Sequence, residues 1–199
     1  MHEHDCIFSG HCIKAVCDQS CPDYITANWL LEKNSLNMHS RVFNTNTNLL
    51  NKYSNLLQNS EGRLVTVISS DTNTTADMIA YAGVCKHWRN SRLHTVVYNL
   101  KLSQYLDNLS SSWNTKASSD DLDYQKIWGS GAKVLIISNI DYVNFKEFQC
   151  QTLLTLLQSR DKPEFTTVIV SPPLTALVGS GQFFGRLHEV LNKTIVTVK

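Results

Sequence analysis

Arg63-Leu-Val-Thr-Val-Ile-Ser-Ser70, together with the polar run Ser69-Ser-Asp-Thr-Asn-Thr-Thr-Ala-Asp77 that overlaps and follows it, decides the fold. The first stretch is short, apolar and mostly β-branched, which reads as a buried strand bounded by polar turn residues. A helix predicted from near Thr74 turns Met78, Ile79, Tyr81, Ala82 and Cys85 inward. Strand, polar turn and helix in immediate succession are the unit from which open α/β sheets are built.

The same alternation continues toward the C-terminus. His94-Thr-Val-Val-Tyr-Asn-Leu100 reads as a strand, the stretch near Leu102 to Leu109 as a helix, and the polar run Ser110 to Asp123 as a loop. Lys133-Val-Leu-Ile-Ile-Ser138, a helix over Phe145 to Ser159, and Thr166-Thr-Val-Ile-Val-Ser171 follow. A last helix around Phe184 to Leu191 precedes Lys193-Thr-Ile-Val-Thr-Val-Lys199. Five strands separated by helices predict the α/β class, with a parallel five-stranded sheet covered by helices on both faces.

Working outward in the other direction, residues 36–60 are rich in Asn and Ser, yet Val42, Leu49, Leu50, Tyr53, Leu56 and Leu57 recur near helical spacing. This segment reads as a linker and then a helix that packs against the downstream α/β core. Residues 1–35 form a small Cys-rich module, with Pro22 opening a helix through Tyr24, Ile25, Trp29 and Leu30. Residues 61–199 are then the core itself.

Cys6, Cys12, Cys17 and Cys21 are separated by five, four and three residues, enough to fold four thiolates around one tetrahedral zinc ion. A loop-rich segment this short has little core of its own, so a metal would supply the missing folding energy. An iron–sulfur cluster or free thiols remain open alternatives, and His2, His4 or His11 could replace one thiolate. Cys85 and Cys150 lie on helix faces and read as packing residues.

Composition narrows the function classes. The 199 residues are 42% hydrophobic and carry a formal net charge of +1, so no polybasic or acidic arm marks a nucleic acid or membrane partner. No apolar run reaches the ~20 residues of a membrane span, and the N-terminus lacks the basic and apolar regions of a secretory signal, so a cytoplasmic location is expected. The G-x-S-x-G, H-E-x-x-H and G-x-G-x-x-G signatures are absent. Asp120, Asp121 and Asp123 read as a solvated loop, whereas Trp88, Trp113 and Trp128 could stack on bases of a single strand.

The order of elements resembles DnaC/DnaI-type helicase loaders of the AAA+ class. The resemblance is carried by the strand-turn-helix at residues 63–82, the Leu-Ile-Ile strand, the leucine-rich helix ending in Ser159-Arg160, and Thr-Val-Ile-Val-Ser171. Cys21-Pro-Asp-Tyr-Ile-Thr-Ala-Asn-Trp-Leu-Leu-Glu-Lys-Asn-Ser-Leu-Asn37 also resembles the lead-in of phage and Firmicute loaders, and the likeness spans about Trp29 to Lys199. It implies a P-loop NTPase, AAA+-like core; because the chain ends at a strand, the C-terminal helical lid is expected to be largely absent.

Laid on the phosphate-loop pattern GxxxxGK[ST], the turn puts Ser70 and Thr75 at the glycines, Ala76 at the lysine and Asp77 at the magnesium-binding hydroxyl. Glycines let backbone N–H groups approach the phosphates and the lysine neutralises them, whereas Asp77 would set negative charge beside a polyanion. Ser138 and Asn139 stand where the Walker B acidic pair would end its strand, with Asp141 two residues displaced, and Pro172 and Pro173 occupy the sensor position. The resemblance also sets Arg160 and Arg186 where loaders direct arginines toward a neighbour's nucleotide.

These losses predict a catalytically inactive, ATPase-like protein that does not bind ATP tightly. The expected role is that of a DNA-replication accessory protein, contacting the replicative helicase or an active helicase-loader ATPase in a primosome. One alternative is a single-stranded DNA-binding module that uses the cysteine cluster with Lys86, His87, Arg89 and Arg92. Another is a loader with residual ATP binding.

Overall fold

β-Branched side chains crowd a helix but fit a pleat, and the apolar runs that contain them form the main strands. The computed structural model describes residues 25, 29, 31, 32, 34, 47–87, 97–114 and 131–198. In chain order the elements are α1 (Thr47–Asn59), β1 (Leu64–Ile68), α2 (Thr72–His87), β2 (Val97–Lys101), α3 (Leu102–Asn114) and β3 (Val134–Ser138). They continue with β4 (Asn144–Phe145), α4 (Glu147–Ser159), β5 (Thr166–Ser171), β6 (Val178–Gly179), α5 (Gln182–Lys193) and β7 (Ile195–Val196).

The main sheet has five strands in the order β2-β3-β5-β1-β7, every adjacent pair parallel. The expected parallel α/β architecture is thus present, with β5 inserted between β1 and β3. Because successive strand residues face opposite sides, each buried strand feeds two layers. Val65, Val67, Val134, Ile136, Val168 and Val170 join α2 on one face, while Leu135, Ile137 and Ile169 meet α3, α4 and α5 on the other.

Leu31 and the α1 residues Tyr53, Leu56 and Leu57 lie in the same apolar layer as α2. The helix of the 36–60 segment therefore completes one face of the sheet rather than standing apart from it. Asn34 seals the adjoining edge: its Oδ1 accepts from the Asn99 N–H at 2.7 Å and its Nδ2 donates to the Val97 carbonyl at 3.2 Å. One side-chain amide thereby does what a neighbouring strand would do for the exposed edge of β2.

Several boundaries depart from the sequence reading. α2 starts at Thr72, not near Thr74, and α3 continues through Ser110 to Asn114, residues read as loop. Phe145 belongs to β4, which pairs with β6 in a separate parallel two-stranded ribbon, so α4 starts only at Glu147. The strand expected over Lys193 to Lys199 shrinks to Ile195–Val196, because α5 runs on to Lys193 and Thr194 Oγ1 donates back to the carbonyls of Val190 and Leu191.

Candidate functional site at the carboxyl ends of the strands

In an open α/β sheet a ligand sits beyond the carboxyl ends of the strands, which places the candidate site among the residues after β1, β3 and β5. Only Ser69, Ser70 and Asp71 separate β1 from α2. Asp71 makes this turn so short. Its Oδ1 accepts the Thr74 N–H at 3.0 Å and its carbonyl accepts the Thr75 N–H at 3.1 Å, which starts α2 about two residues earlier than the sequence pattern suggests. The Thr74 hydroxyl and amide both hold the Asp71 carboxyl below its ordinary range.

The interval between Ser70 and Thr75, the two glycine positions of the pattern, is thus mostly helix instead of a loop wrapped round a phosphate. Ser69 Oγ ties the turn to itself, bonding the Thr75 hydroxyl at 2.8 Å and the Asp71 carbonyl at 3.0 Å. Ala76, at the lysine position, is 0% exposed within the core. Asp77 points toward β2, where Asn99 Nδ2 donates to its Oδ1 at 3.2 Å. Burial pushes the Asp77 carboxyl above its ordinary range, against the opposing pull of Lys101.

At the end of β3, Ser138 is buried and donates to Asn99 Oδ1 at 2.8 Å. Asn139 takes a left-handed backbone, φ 58°, and its Oδ1 is buried without a hydrogen-bond partner. A left-handed non-glycine residue at a strand end is a position the fold must hold against strain. Asp141 lies across from α2, accepting from Thr72 Oγ1 at 3.3 and 3.5 Å. After β5, Ser171 Oγ donates to the Pro172 carbonyl at 2.9 Å, and Pro173 leads into a 3-10 turn, Leu174–Ala176.

The structure therefore brings Asp77 and Ser138 together through Asn99, and Asp141 to the start of α2 through Thr72. Sequence reasoning did not single out Asn99, Asn34 or Thr72. The signal for Asn99 was present, since an asparagine inside Val-Val-Tyr-Asn-Leu is a polar group committed to a buried strand.

The two arginines part company. Arg160 is 3% exposed, and its guanidinium donates to Thr167 Oγ1 at 2.9 Å and to the carbonyls of Ala132 and Thr166 at 2.8 and 3.1 Å. It ties the starts of β3 and β5 to the end of α4, which corrects its reading as an interface arginine. Burial lowers it to about 10, so it stays protonated at neutral pH. Arg186 is exposed on α5, its guanidinium 5.9 Å from the Phe183 ring centre.

Cys6, Cys12, Cys17 and Cys21, the proposed zinc ligands, lie outside the described residues, as do Asp120, Asp121, Asp123, Trp88, Trp128, Arg89 and Arg92. Among the described residues no group of three or more His, Cys, Asp or Glu side chains could hold a metal ion, and no helix is long and apolar enough to cross a membrane. Cys150 is a buried core residue whose thiol burial pushes up.

With this geometry in place, comparison with known proteins adds a structural likeness. No protein-family model matches the sequence, and no curated protein matches it. The solved structure of a DNA replication initiation factor superposes with a TM-score of 0.58 at 11% identity, over 82% of this chain and 50% of that one. The two share an α/β fold, here a five-stranded parallel sheet covered by helices. The chain spans about half the length of that structure, and the likeness is one of fold, which does not single out the DnaC/DnaI-type loaders.

Proposed function

We propose that this AAA+-like chain is a DNA-replication accessory protein that acts by binding a protein partner, the replicative helicase or an active helicase-loader ATPase, and that it does not hydrolyse ATP. The three-residue turn between β1 and α2, with Ala76 packed in the core behind it, carries the reading. A polyphosphate needs a loop of backbone N–H groups and a cation to hold it, and here the corresponding residues are wound into a helix. Support for replication as the setting comes from the fold shared with a replication initiation factor and from the loader-like order of motifs.

Titration calorimetry with magnesium–ATP tests the first half: no saturable heat is expected. Micromolar affinity, or phosphate release that disappears in Asp141→Ala, would overturn it. Size-exclusion chromatography with the purified replicative helicase of the same host tests the second half. Co-elution that survives high salt is expected of an interface with an apolar centre, while a salt-sensitive complex with single-stranded DNA alone would favour the nucleic acid reading.

A further inference from the structure

The groove between α4 and α5 opens toward the amino ends of β1 and β5, the opposite end of the sheet from the turn at Ser69. It holds a cavity of about 460 Å³, within the ~300–1,000 Å³ of sites that take small ligands or a few side chains. Leu64, Leu154 and Val190 give it an apolar floor, and the buried Arg160 forms part of its wall. Arg63 and Arg186 stand exposed at its mouth.

Its charge is unbalanced. Arg63, Arg160, Arg186 and Lys193 face only Asp161 and Glu189, and Glu189 is held by Lys193 at 2.6 Å. Glu189 also feels Arg186, yet among the described residues neither Arg63 nor Arg186 forms a salt bridge. Two exposed guanidinium forks above hydrocarbon select a ligand that joins an anion to an aliphatic group, because each half is satisfied only by one part of the groove. A nucleic acid backbone lacks the aliphatic half, and Asp161 and Glu189 interrupt the positive track it would follow.

We propose that the α4–α5 groove binds a carboxylate-bearing peptide segment of a protein partner, with an aliphatic side chain on Leu64, Leu154 and Val190 and the carboxylate on Arg63 and Arg186. The groove is separate from the strand-end turn, so it stands whether or not that turn holds a nucleotide.

The test is an NMR titration of the full chain with N-acetyl-L-leucine, its uncharged amide, and inorganic phosphate. N-acetyl-leucine is expected to give saturable shifts at the amides of Arg186 and Val190. The amide lacks the charge and phosphate lacks the hydrocarbon, so each should bind at least about tenfold more weakly. Arg63→Glu with Arg186→Glu should abolish the response without moving the melting temperature, and Arg63→Gln with Arg186→Gln serves in its place if the charge reversal disturbs folding. Absence of saturable shifts, an equal response to the amide or to phosphate, or unchanged affinity in the double variant would each overturn the proposal.

Discussion

Ala76→Lys restores the one side chain that a phosphate loop most needs, and the structure says what it will do instead. Ala76 is fully buried in the layer formed by Val65, Val67, Ile79 and Val168. Forcing a lysine stem into a close-packed layer costs about 1–3 kcal/mol. An ammonium with no buried partner adds several kcal/mol more unless it gives up its proton. A loss of about 4 kcal/mol is expected, a large part of the ~5–15 kcal/mol that holds a typical domain together. At a urea slope of about 2 kcal/mol per molar the unfolding midpoint falls by about 2 M. Equilibrium unfolding followed by far-UV circular dichroism measures it, with Asn73→Lys as the control. Asn73 lies exposed on the same first turn and should shift stability by no more than about 0.5 kcal/mol. Undiminished stability in Ala76→Lys, accompanied by micromolar magnesium–ATP affinity, would refute the reasoning, because the turn would then have to open into a phosphate cradle.

Arg160→Met removes all the charged hydrogen bonds to Thr167, Ala132 and Thr166; about 3 kcal/mol of stability should go, seen as a melting temperature lower by roughly 6–12 °C, and a change under 1 °C would contradict it. Asn34→Ala strips the edge of β2 of both its side-chain partners, so a loss of about 2 kcal/mol is expected, with faster hydrogen exchange at the Asn99 amide as the local readout. Asp77→Asn should raise the urea midpoint at neutral pH, since burial disfavours the charged carboxylate. Its folded value lies above the ordinary 3.8, so the folded state binds more protons in that window. The wild type therefore gains stability relative to Asp77→Asn as pH falls through the raised value, and the gain levels off below 3.8; a constant difference across that range would contradict the assignment.

What the sequence made legible is what local chemistry controls. Runs such as Val134-Leu-Ile-Ile are strands in any α/β context, and their alternation with helices leaves few topologies besides a parallel sheet. The start of α2 is not legible in the sequence because it depends on the Asp71 carboxylate capping Thr74, which outweighs the polar character of Thr72 to Thr75. β4 and β6 escape notice at two residues each: Asn144 and Val178 pair only because the folded sheet carries them side by side. Arg160 is the sharpest case. At the end of a helix, after Ser159, it reads as an arginine directed toward a neighbour's nucleotide, and the carbonyl of Ala132, far away in sequence, is among the contacts that explain why its guanidinium is buried.

The polar residues at the strand ends illustrate how a site can be occupied by the protein's own groups. Side chains serve a ligand when they face a space the ligand can enter, but here they face one another: Ser69 bonds Thr75, Thr72 bonds Asp141, and Asn99 bridges Asp77 and Ser138. A metal-bound phosphate would have to displace these contacts, each worth about 1 kcal/mol when neutral and up to ~3 kcal/mol when charged, before gaining any of its own. The same Asn99 passes its backbone N–H to Asn34. The strand whose Asn99 side chain holds Asp77 and Ser138 therefore also holds Asn34, in the segment that precedes α1, through its backbone at the open edge of the sheet. Substituting Asn99 should free Asp77 and Ser138 together, because its side chain bonds both, while the Asn34 anchor, which rests on the Asn99 N–H and the Val97 carbonyl, stays in place.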